Sequence, residues 1–193
     1  MFFNVAYSDP VYRSPETLNT GERAEYIKKE HYKILGTSIE NTNISILIKN
    51  IGNAKKFKGH HTENYICYKN NKNTIKLSVS SLGYGYKVST LNESSKKCGF
   101  INKSFENNAG LKIGLSKQKI LSLLGKPSKT IGNTDTYIYW VQEKPKQEIE
   151  RKLRKTHAMP PEMELWLDKY SSITVKYKNN LIVEFSVNTT ETY

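Results

Sequence analysis

The stretch LKIGLSKQKILSLLGKPSK, residues Leu111–Lys129, predicts one short helix with defined ends. Ser116 can cap its N-terminus, Gly125 is typical of a helix C-terminus, and Pro127 prevents continuation. The residues with the spacing of one buried helical face are Ile120, Leu123 and Leu124. A helix of about three turns is not stable alone in water, so it needs a sheet to pack against.

A looser copy, NISILIKNIGNAKKFKG, lies earlier in the chain. Gly52 and Gly125 are 73 residues apart, as are Gly59 and Gly132. The cap and apolar stripe of this copy are Asn43, Ile44, Leu47, Ile48 and Ile51. With one residue removed, YICY (Tyr65–Tyr68) aligns with YIYW (Tyr137–Trp140). A period of this size predicts two supersecondary modules rather than a solenoid.

Strand patterns follow both helices. TIKLSVSS and YKVSTL alternate apolar and polar residues in the first copy, as ITVKY and LIVEFSV do in the second. Asn179-Asn180 predicts a tight hairpin between the last two. The residues expected on one face of that hairpin are Ile173, Val175, Tyr177, Val183, Phe185 and Val187. We therefore predict an α+β fold of two modules, each with short helices on one face of an antiparallel meander of about three strands and the other face open.

Two segments break the repeat. Residues 22–34 predict an extra helix with Ala24, Ile27 and Leu35 facing inward. Residues 144–172 form an insertion that contains a basic amphipathic helix, Gln147–His157, and an apolar element led by Trp166. A long insertion at a hairpin is often functional, and the alternative is a flap packed over the sheet edge.

The predicted organisation is an N-terminal arm (1–20), a first module (21–100), a linker (101–110) and a second module (111–193). The start MFFNVAYSDP fits the end of an export signal, with Ala6-Tyr7-Ser8 as a small-x-small cleavage site. An ordinary first strand with Phe2 and Phe3 buried is the alternative. Cys67 and Cys98 fall in one module, and in an oxidising compartment we expect them to form a disulfide; in the cytosol they would be ordinary thiols.

Four short segments of the second half carry a family resemblance: Ile113–Ser116, Leu124–Pro127, Tyr137–Trp140 and Asn180–Phe185. They resemble the pattern of the β-lactamase-inhibitor-protein (BLIP) fold and of the small outer-membrane-assembly lipoproteins of the SmpA/OmlA group. In the first half, Asn53-Ala54 replaces the Lys-Pro step of this pattern. The resemblance implies an exported bacterial protein of two tandem modules that binds proteins through the open face of its sheet. It implies no particular partner, and the start of the chain shows no lipobox cysteine.

The charge of +12, from 30 Lys and Arg against 18 Asp and Glu, favours acidic partners. The apolar runs are shorter than the roughly 20 residues that span a bilayer. Phosphate-loop spacing, a G-x-S-x-G elbow and spaced metal ligands are not found, and His60-His61 has no partner for metal binding or proton transfer. We therefore predict no catalysis, cofactor or metal.

The predicted partner is an acidic protein surface or an anionic envelope component. Tyr68 and Trp140 occupy equivalent repeat positions, and both face either the open side or the core. The further binding candidates are Tyr84, Tyr86, Arg151, Arg154 and Trp166. Basic charge with surface tyrosines would also suit single-stranded nucleic acid, an alternative that export argues against.

Overall fold

The computed structural model describes residues 23, 25–40, 42–58, 64–80 and 83–192. The predicted export signal, Ala24, Gly59 and the His60-His61 pair lie outside these residues. The fold is α+β. Its helices are α1 (Ile44–Ile51), α2 (Lys117–Leu124) and α3 (Gln147–His157), with 3-10 turns at Lys29–Tyr32 and Glu93–Lys97.

The strands of the first half of the chain are β1 (Lys33–Ile34), β2 (Thr37–Ser38), β3 (Lys55–Lys58), β4 (Asn64–Lys69), β5 (Asn73–Ser80), β6 (Gly83–Thr90) and β7 (Gly99–Phe100). Those of the second half are β8 (Lys129–Ile131), β9 (Thr134–Glu143), β10 (Leu167–Lys178) and β11 (Leu181–Thr192). Strands β1 and β2 form a separate hairpin.

One sheet contains the other strands in the order β3-β4-β5-β6-β11-β10-β9-β8. Each half contributes a helix followed by a four-stranded antiparallel meander, one strand more than predicted, and the two meanders join through the antiparallel pair β6–β11. Strand β7 adds to β4 in parallel. Side chains of both halves form one hydrophobic core, so the halves do not have separate cores. Their origin by duplication stays a prediction.

The two repeated helices have equivalent bounds, 73 residues apart at both ends. Asn43 Oδ1 accepts a hydrogen bond from the Ile46 amide at 3.0 Å. Ser116 Oγ accepts one from the Lys119 amide at 3.2 Å. Both predicted caps are therefore confirmed. Each helix buries two residues four apart, Leu47 and Ile51 in α1 and Ile120 and Leu124 in α2.

Leu123, predicted on the buried stripe of α2, is 38% exposed. Two turns of helix bury only a narrow stripe, and Leu123 lies beside it. The hairpin turn at Asn179 and Asn180 is confirmed, with φ of 53° and 60°. A bulge between Lys176 and Tyr177 places Ile182 opposite Tyr177. Ile182 is therefore the fully buried residue there, and the prediction for Val183 was wrong.

The predicted helix over 22–34 is wrong in the described residues. Only the 3-10 turn at Lys29–Tyr32 is helical, and the β1–β2 hairpin follows, turning at Leu35 and Gly36 with positive φ. Ile27 and Leu35 are buried as expected. The spacing of these residues therefore identified buried positions correctly, although the backbone there is not helical.

The segment 101–110, predicted as a linker, is packed into the fold, because Phe105 and Asn107 are buried. The Asn107 side chain donates to the Tyr86 hydroxyl at 2.8 Å and accepts from the Leu111 amide at 2.9 Å. This segment therefore anchors the fold between the halves. The insertion is shorter than predicted, residues 144–166, because residues 167–172 extend β10.

Candidate functional site: the open face of the sheet

The two faces of the sheet differ sharply. Helices α1 and α2 pack on one face, the helix side, where the rows of buried side chains include Ile66, Leu77, Tyr86, Val187, Ile173 and Tyr137. The other face, named here the open face, carries the alternate residues of the same strands. Its central strands present small polar side chains such as Ser78, Asn188, Ser172 and Thr174.

Tyr68 and Trp140, predicted to be equivalent, lie on opposite faces. Tyr68 pairs with Ile75 on the helix side, is fully buried, and donates its hydroxyl to the Gly52 carbonyl at 2.7 Å. Burial raises the pKa of Tyr68 to about 12. Trp140 pairs with Tyr170 on the open face. The alignment was one residue out of register, and a shift of one residue moves a side chain to the other face. Tyr68 is therefore not a binding residue.

Tyr84 and Tyr86 also belong to the helix side. Tyr86 is 1% exposed, and its hydroxyl donates to the His31 carbonyl at 2.7 Å. Burial raises the pKa of Tyr86. Tyr84 is half-buried, with its ring edge-on to Tyr32 at 5.2 Å. Strand β6 already begins at Gly83, so both tyrosines lie within a strand of the sheet. Both expectations of surface tyrosines were wrong.

The open face is basic. Lys76 and Lys87 lie opposite each other on β5 and β6, and both are exposed. Lys87 Nζ is 2.8 Å from Glu184 Oε2 on β11, and Lys176 on β10 lies directly opposite Glu184 in the strand register. Further lysines on this face include Lys55, Lys69 and Lys129. The acidic residues on its paired strands are Glu184 and Asp168, and Asp168 accepts from Gln142 at 2.9 Å.

Two stacked aromatic pairs lie near opposite ends of this face. In the first half, Phe57 and Tyr65 stack at 5.1 Å between ring centroids, with Lys76 Nζ 5.6 Å from the Tyr65 centroid. In the second half, Trp140 and Tyr170 stack at 5.6 Å, and Tyr170 is 41% exposed. Each pair bridges neighbouring strands. Sequence reasoning missed Phe57, Tyr65 and Tyr170, although their alternation in the strands could have placed them opposite the core residues.

The predicted disulfide is confirmed. Cys67 and Cys98 are bonded, with their Cα atoms 4.9 Å apart, and both are buried. Cys67 lies on the open-face side of β4, so the bond fastens the segment 93–100 to this edge of the sheet. Thr74 and Ser89 next to this segment share a hydrogen bond of 3.0 Å. The disulfide therefore stabilises the first-half end of the open face.

Arg154 joins helix α3 to the segment that follows it in the insertion. Its guanidinium donates to Glu150 Oε1 at 2.7 Å, to the Pro160 carbonyl at 2.6 Å and to the Met163 carbonyl at 2.8 Å. These bonds tie the segment after α3 back onto the helix. Arg154 is therefore a structural residue first, which its position in a basic run did not indicate.

The outer surface of the insertion is different. Arg151 is exposed on α3 together with Lys152 and Lys155. Trp166 is half-buried, with Lys144 Nζ 5.4 Å from its ring centroid, and Lys144 also pairs with Glu164 at 3.0 Å. Of the three predicted insertion residues, Arg151 alone is fully presented to solvent.

A cluster of titratable groups is buried on the helix side of the second half. Asp135 is fully buried; it accepts from Thr130 at 2.7 Å and lies 3.2 Å from Lys117 Nζ. Burial raises the pKa of Tyr137 to about 12 and also raises that of Tyr177. Both phenols therefore keep their protons at neutral pH. The cluster fastens the start of α2 to β9.

Within the described ranges, none of the helices is long and apolar enough to cross a membrane. The same residues include no group of three or more His, Cys, Asp or Glu side chains that could hold a metal ion. No protein-family model, no characterised protein and no solved structure matches this chain. The resemblance to the BLIP and SmpA/OmlA families therefore stays a prediction.

Proposed function

We propose that this chain is an exported bacterial binding protein, without a catalytic step, that docks an acidic protein surface on the open face of its sheet. The observation that carries the proposal is the contrast between the two faces. The helix side is buried in one core, whereas the open face presents exposed Lys76, Lys87 and Lys176 beside exposed Tyr170.

The residues of the open face suit recognition of a folded protein. The exposed lysines of this face attract acidic surfaces and raise the association rate. Aromatic side chains such as Tyr and Trp supply most of the binding energy in many interfaces. The two aromatic pairs would serve as anchors at the ends, and the small polar residues between them allow close approach of a partner backbone.

The insertion adds a second basic surface. Arg151, Lys152 and Lys155 are exposed on one helix, so α3 would attract the same acidic partner or an anionic envelope component. In this proposal α3 contributes long-range attraction, and the open face contributes the buried contact area. We expect α3 to affect the association rate more than the dissociation rate.

The disulfide is compatible with an oxidising compartment such as the periplasm or the extracellular medium. We include export in the proposal on this ground and on the resemblance of the second half to exported families. Fractionation with mass spectrometry of the mature N-terminus would test it.

Single-stranded nucleic acid is the rival ligand, since lysines and aromatic rings on a sheet can form a stacking platform. The stacking of the rings argues against it here. In each pair, Phe57 with Tyr65 and Trp140 with Tyr170, one ring face is already covered by the other ring. Lys55 and Lys76 lie over the first pair as well.

Charge reversal tests the proposed face. The variant Lys76→Glu/Lys87→Glu places two negative charges on the open face, and the matched control Lys49→Glu/Lys119→Glu makes the same change on exposed positions of α1 and α2. We expect the open-face variant to lose about 90% of the partner captured from an envelope extract at low salt, and the control to retain it. The difference should shrink as salt rises.

Thermal unfolding of both variants checks that they fold. Equal capture by the two folded variants would reject the open face as the docking surface. Capture that nuclease treatment abolishes would favour nucleic acid as the ligand instead.

A further inference from the structure

A cavity of about 280 Å³ lies on the helix side of the second half, away from the open face. Its walls come from three places: the N-terminal segment from Arg23 to His31, the end of α2 and strand β9. The N-terminal segment reaches this position because Arg23 bridges the outer edge of β9. The Arg23 amide donates to the Ile138 carbonyl at 3.0 Å, and the Arg23 carbonyl accepts from the Trp140 amide at 3.0 Å.

The Arg23 guanidinium forms a rigid cationic wall of this cavity. Nη2 donates to the carbonyls of Leu124 at 2.6 Å and Lys126 at 2.8 Å, and Nη1 donates to the Tyr139 hydroxyl at 3.3 Å. The guanidinium also lies over the ring of Tyr137 at 5.6 Å. Three of its five N–H groups are therefore directed at neutral oxygens.

The charge of Arg23 is poorly compensated. Its nearest carboxylate is that of Glu25, 4.0 Å from Nη1, and the Glu25 side chain is 62% exposed. Lys28 adds a second positive charge to the cavity lining. His31 is 5% exposed, and burial, followed by the charge of Lys28, lowers its pKa to about 4, so it is neutral at pH 7. Glu25 also belongs to the lining. With Arg23 and Lys28 positive, Glu25 negative and His31 neutral, the lining has a net charge of +1 at neutral pH.

Apolar side chains complete the lining beside Arg23. Leu123 and Leu124, at the end of α2, face the cavity, and the ring of Tyr139 is 6% exposed. Leu123 is 38% exposed, although its neighbours Ile120 and Leu124 are buried. A half-buried cation and an exposed leucine in the lining of one cavity match a ligand that has one charged end and one apolar end. The net charge of the lining favours a single negative charge over a dianion.

We propose that this cavity binds a small organic monocarboxylate, with its carboxylate beside Arg23 and Lys28 and its apolar body against Leu123. The size is suitable, because ligand pockets for larger molecules begin at about 300 Å³. The site is independent of the open face, so neither proposal depends on the other.

Benzoate is the probe, with benzamide as a neutral analogue and benzylamine as a cationic one. Titration followed by NMR chemical shifts of the backbone amides should give a saturable response for benzoate with a Kd of about 1 mM, in the region of α2 and β9. Benzamide and benzylamine should bind at least about tenfold more weakly, because they cannot pair with the two cations.

Two variants with matched controls locate the site. Leu123→Trp should fill the cavity and abolish the benzoate response, whereas Leu121→Trp, at an exposed position of α2 outside the lining, should preserve it. Lys28→Gln should weaken benzoate binding about threefold, and Lys29→Gln, the adjacent lysine outside the lining, should leave it unchanged.

Equal affinity for benzoate and benzamide would overturn the proposal, because it would show that the cavity binds the apolar ring without recognising the carboxylate. So would equal effects of Leu123→Trp and Leu121→Trp, or the absence of any saturable response up to about ten times the expected Kd. The expected pattern across ligands and variants would establish the site.

Discussion

The two halves of the sheet have the same order of elements, but the carbonyl groups at the ends of their helices accept hydrogen bonds from different side chains. In the first half, the helix end is satisfied from within: the hydroxyl of Tyr68 donates to the Gly52 carbonyl. In the second half, the corresponding end of α2 is satisfied from outside, since Arg23 donates to the carbonyls of Leu124 and Lys126. The second half therefore depends on a segment that precedes the first.

The outer strands show the same difference. Beyond the β3–β4 hairpin, β4 pairs in parallel with β7, which the disulfide holds through Cys98. Beyond the β8–β9 hairpin, β9 pairs in parallel with Arg23. A covalent bond secures one end of the sheet, and a guanidinium secures the other. The two ends of the sheet are therefore secured by different chemistry, and we expect them to respond to different perturbations.

Removal of the disulfide should have the largest effect on stability, at the first-half end of the sheet. We expect Cys67→Ala/Cys98→Ala to lower the free energy of unfolding by about 3 to 4 kcal/mol, because the unfolded chain gains the entropy of an open loop. Urea denaturation measures the loss, and hydrogen exchange should show it first in β4 and β7. If β9 loses protection before β4, the disulfide does not act on the first half as described.

The β6–β11 pair, which joins the two halves, should be the next most sensitive to mutation. A Cβ atom at Gly83 would lie 2.1 Å from the Thr189 carbonyl oxygen of β11, a backbone atom that cannot move aside alone. Gly83→Ala should therefore destabilise the protein by about 2 to 3 kcal/mol in urea denaturation. Thr190→Ala, its exposed cross-strand partner, is the control and should change stability little. A Gly83→Ala protein of unchanged stability would mean that β6 and β11 are not so closely paired.

The helix-ending glycines should respond alike in both halves. Gly52 (φ 127°, ψ 178°) and Gly125 (φ 74°, ψ −158°) both occupy a backbone region that is essentially restricted to glycine. Gly52→Val and Gly125→Val should each lower the free energy of unfolding by about 2 kcal/mol. A loss at one position only, measured by urea midpoint, would break the equivalence of the two helices.

Arg23 should give the smallest effect and the most local one. Arg23→Met keeps much of the side-chain bulk but removes the donors to the end of α2, and we expect a loss of about 1 to 2 kcal/mol for a partly exposed group. Hydrogen exchange should become faster in α2 and remain unchanged in α1. Equal acceleration of both helices would show that Arg23 stabilises the whole fold rather than the second half.

Much of the fold could be predicted from local signals. Both helix caps, both terminating glycines, the Asn-Asn hairpin and the Cys67–Cys98 bond rest on short sequence patterns with specific backbone consequences. The prediction of a helix over 22–34 failed because the apolar spacing of Ile27 and Leu35 also fits an irregular segment that packs into the core. The turn at Leu35-Gly36 is the signal that could have revealed it.

The site was harder to predict because the identity of a sheet face depends on register. The alignment of Tyr68 with Trp140 was one residue out of register, and this error assigned both side chains to one face although they lie on opposite faces. The bulge at Lys176/Tyr177 caused a second register error, because it places Ile182 rather than Val183 opposite Tyr177 and leaves Val183 half-buried. Arg154 and Arg23 were not separable from the other basic residues, since their roles depend on carbonyl groups that only the folded chain brings within reach.

Site-specific photocrosslinking tests most directly whether the open face is the recognition surface. A photoreactive amino acid would replace Thr190 on the open face or, as a matched exposed position on the helix side, Leu121 of α2. Each protein would be irradiated in a native envelope extract. We predict a discrete adduct to a partner protein from position 190, lost when Lys76 and Lys87 are reversed to glutamate, and none from position 121. An adduct from position 121 with none from position 190 would contradict the account and assign recognition to the helix side.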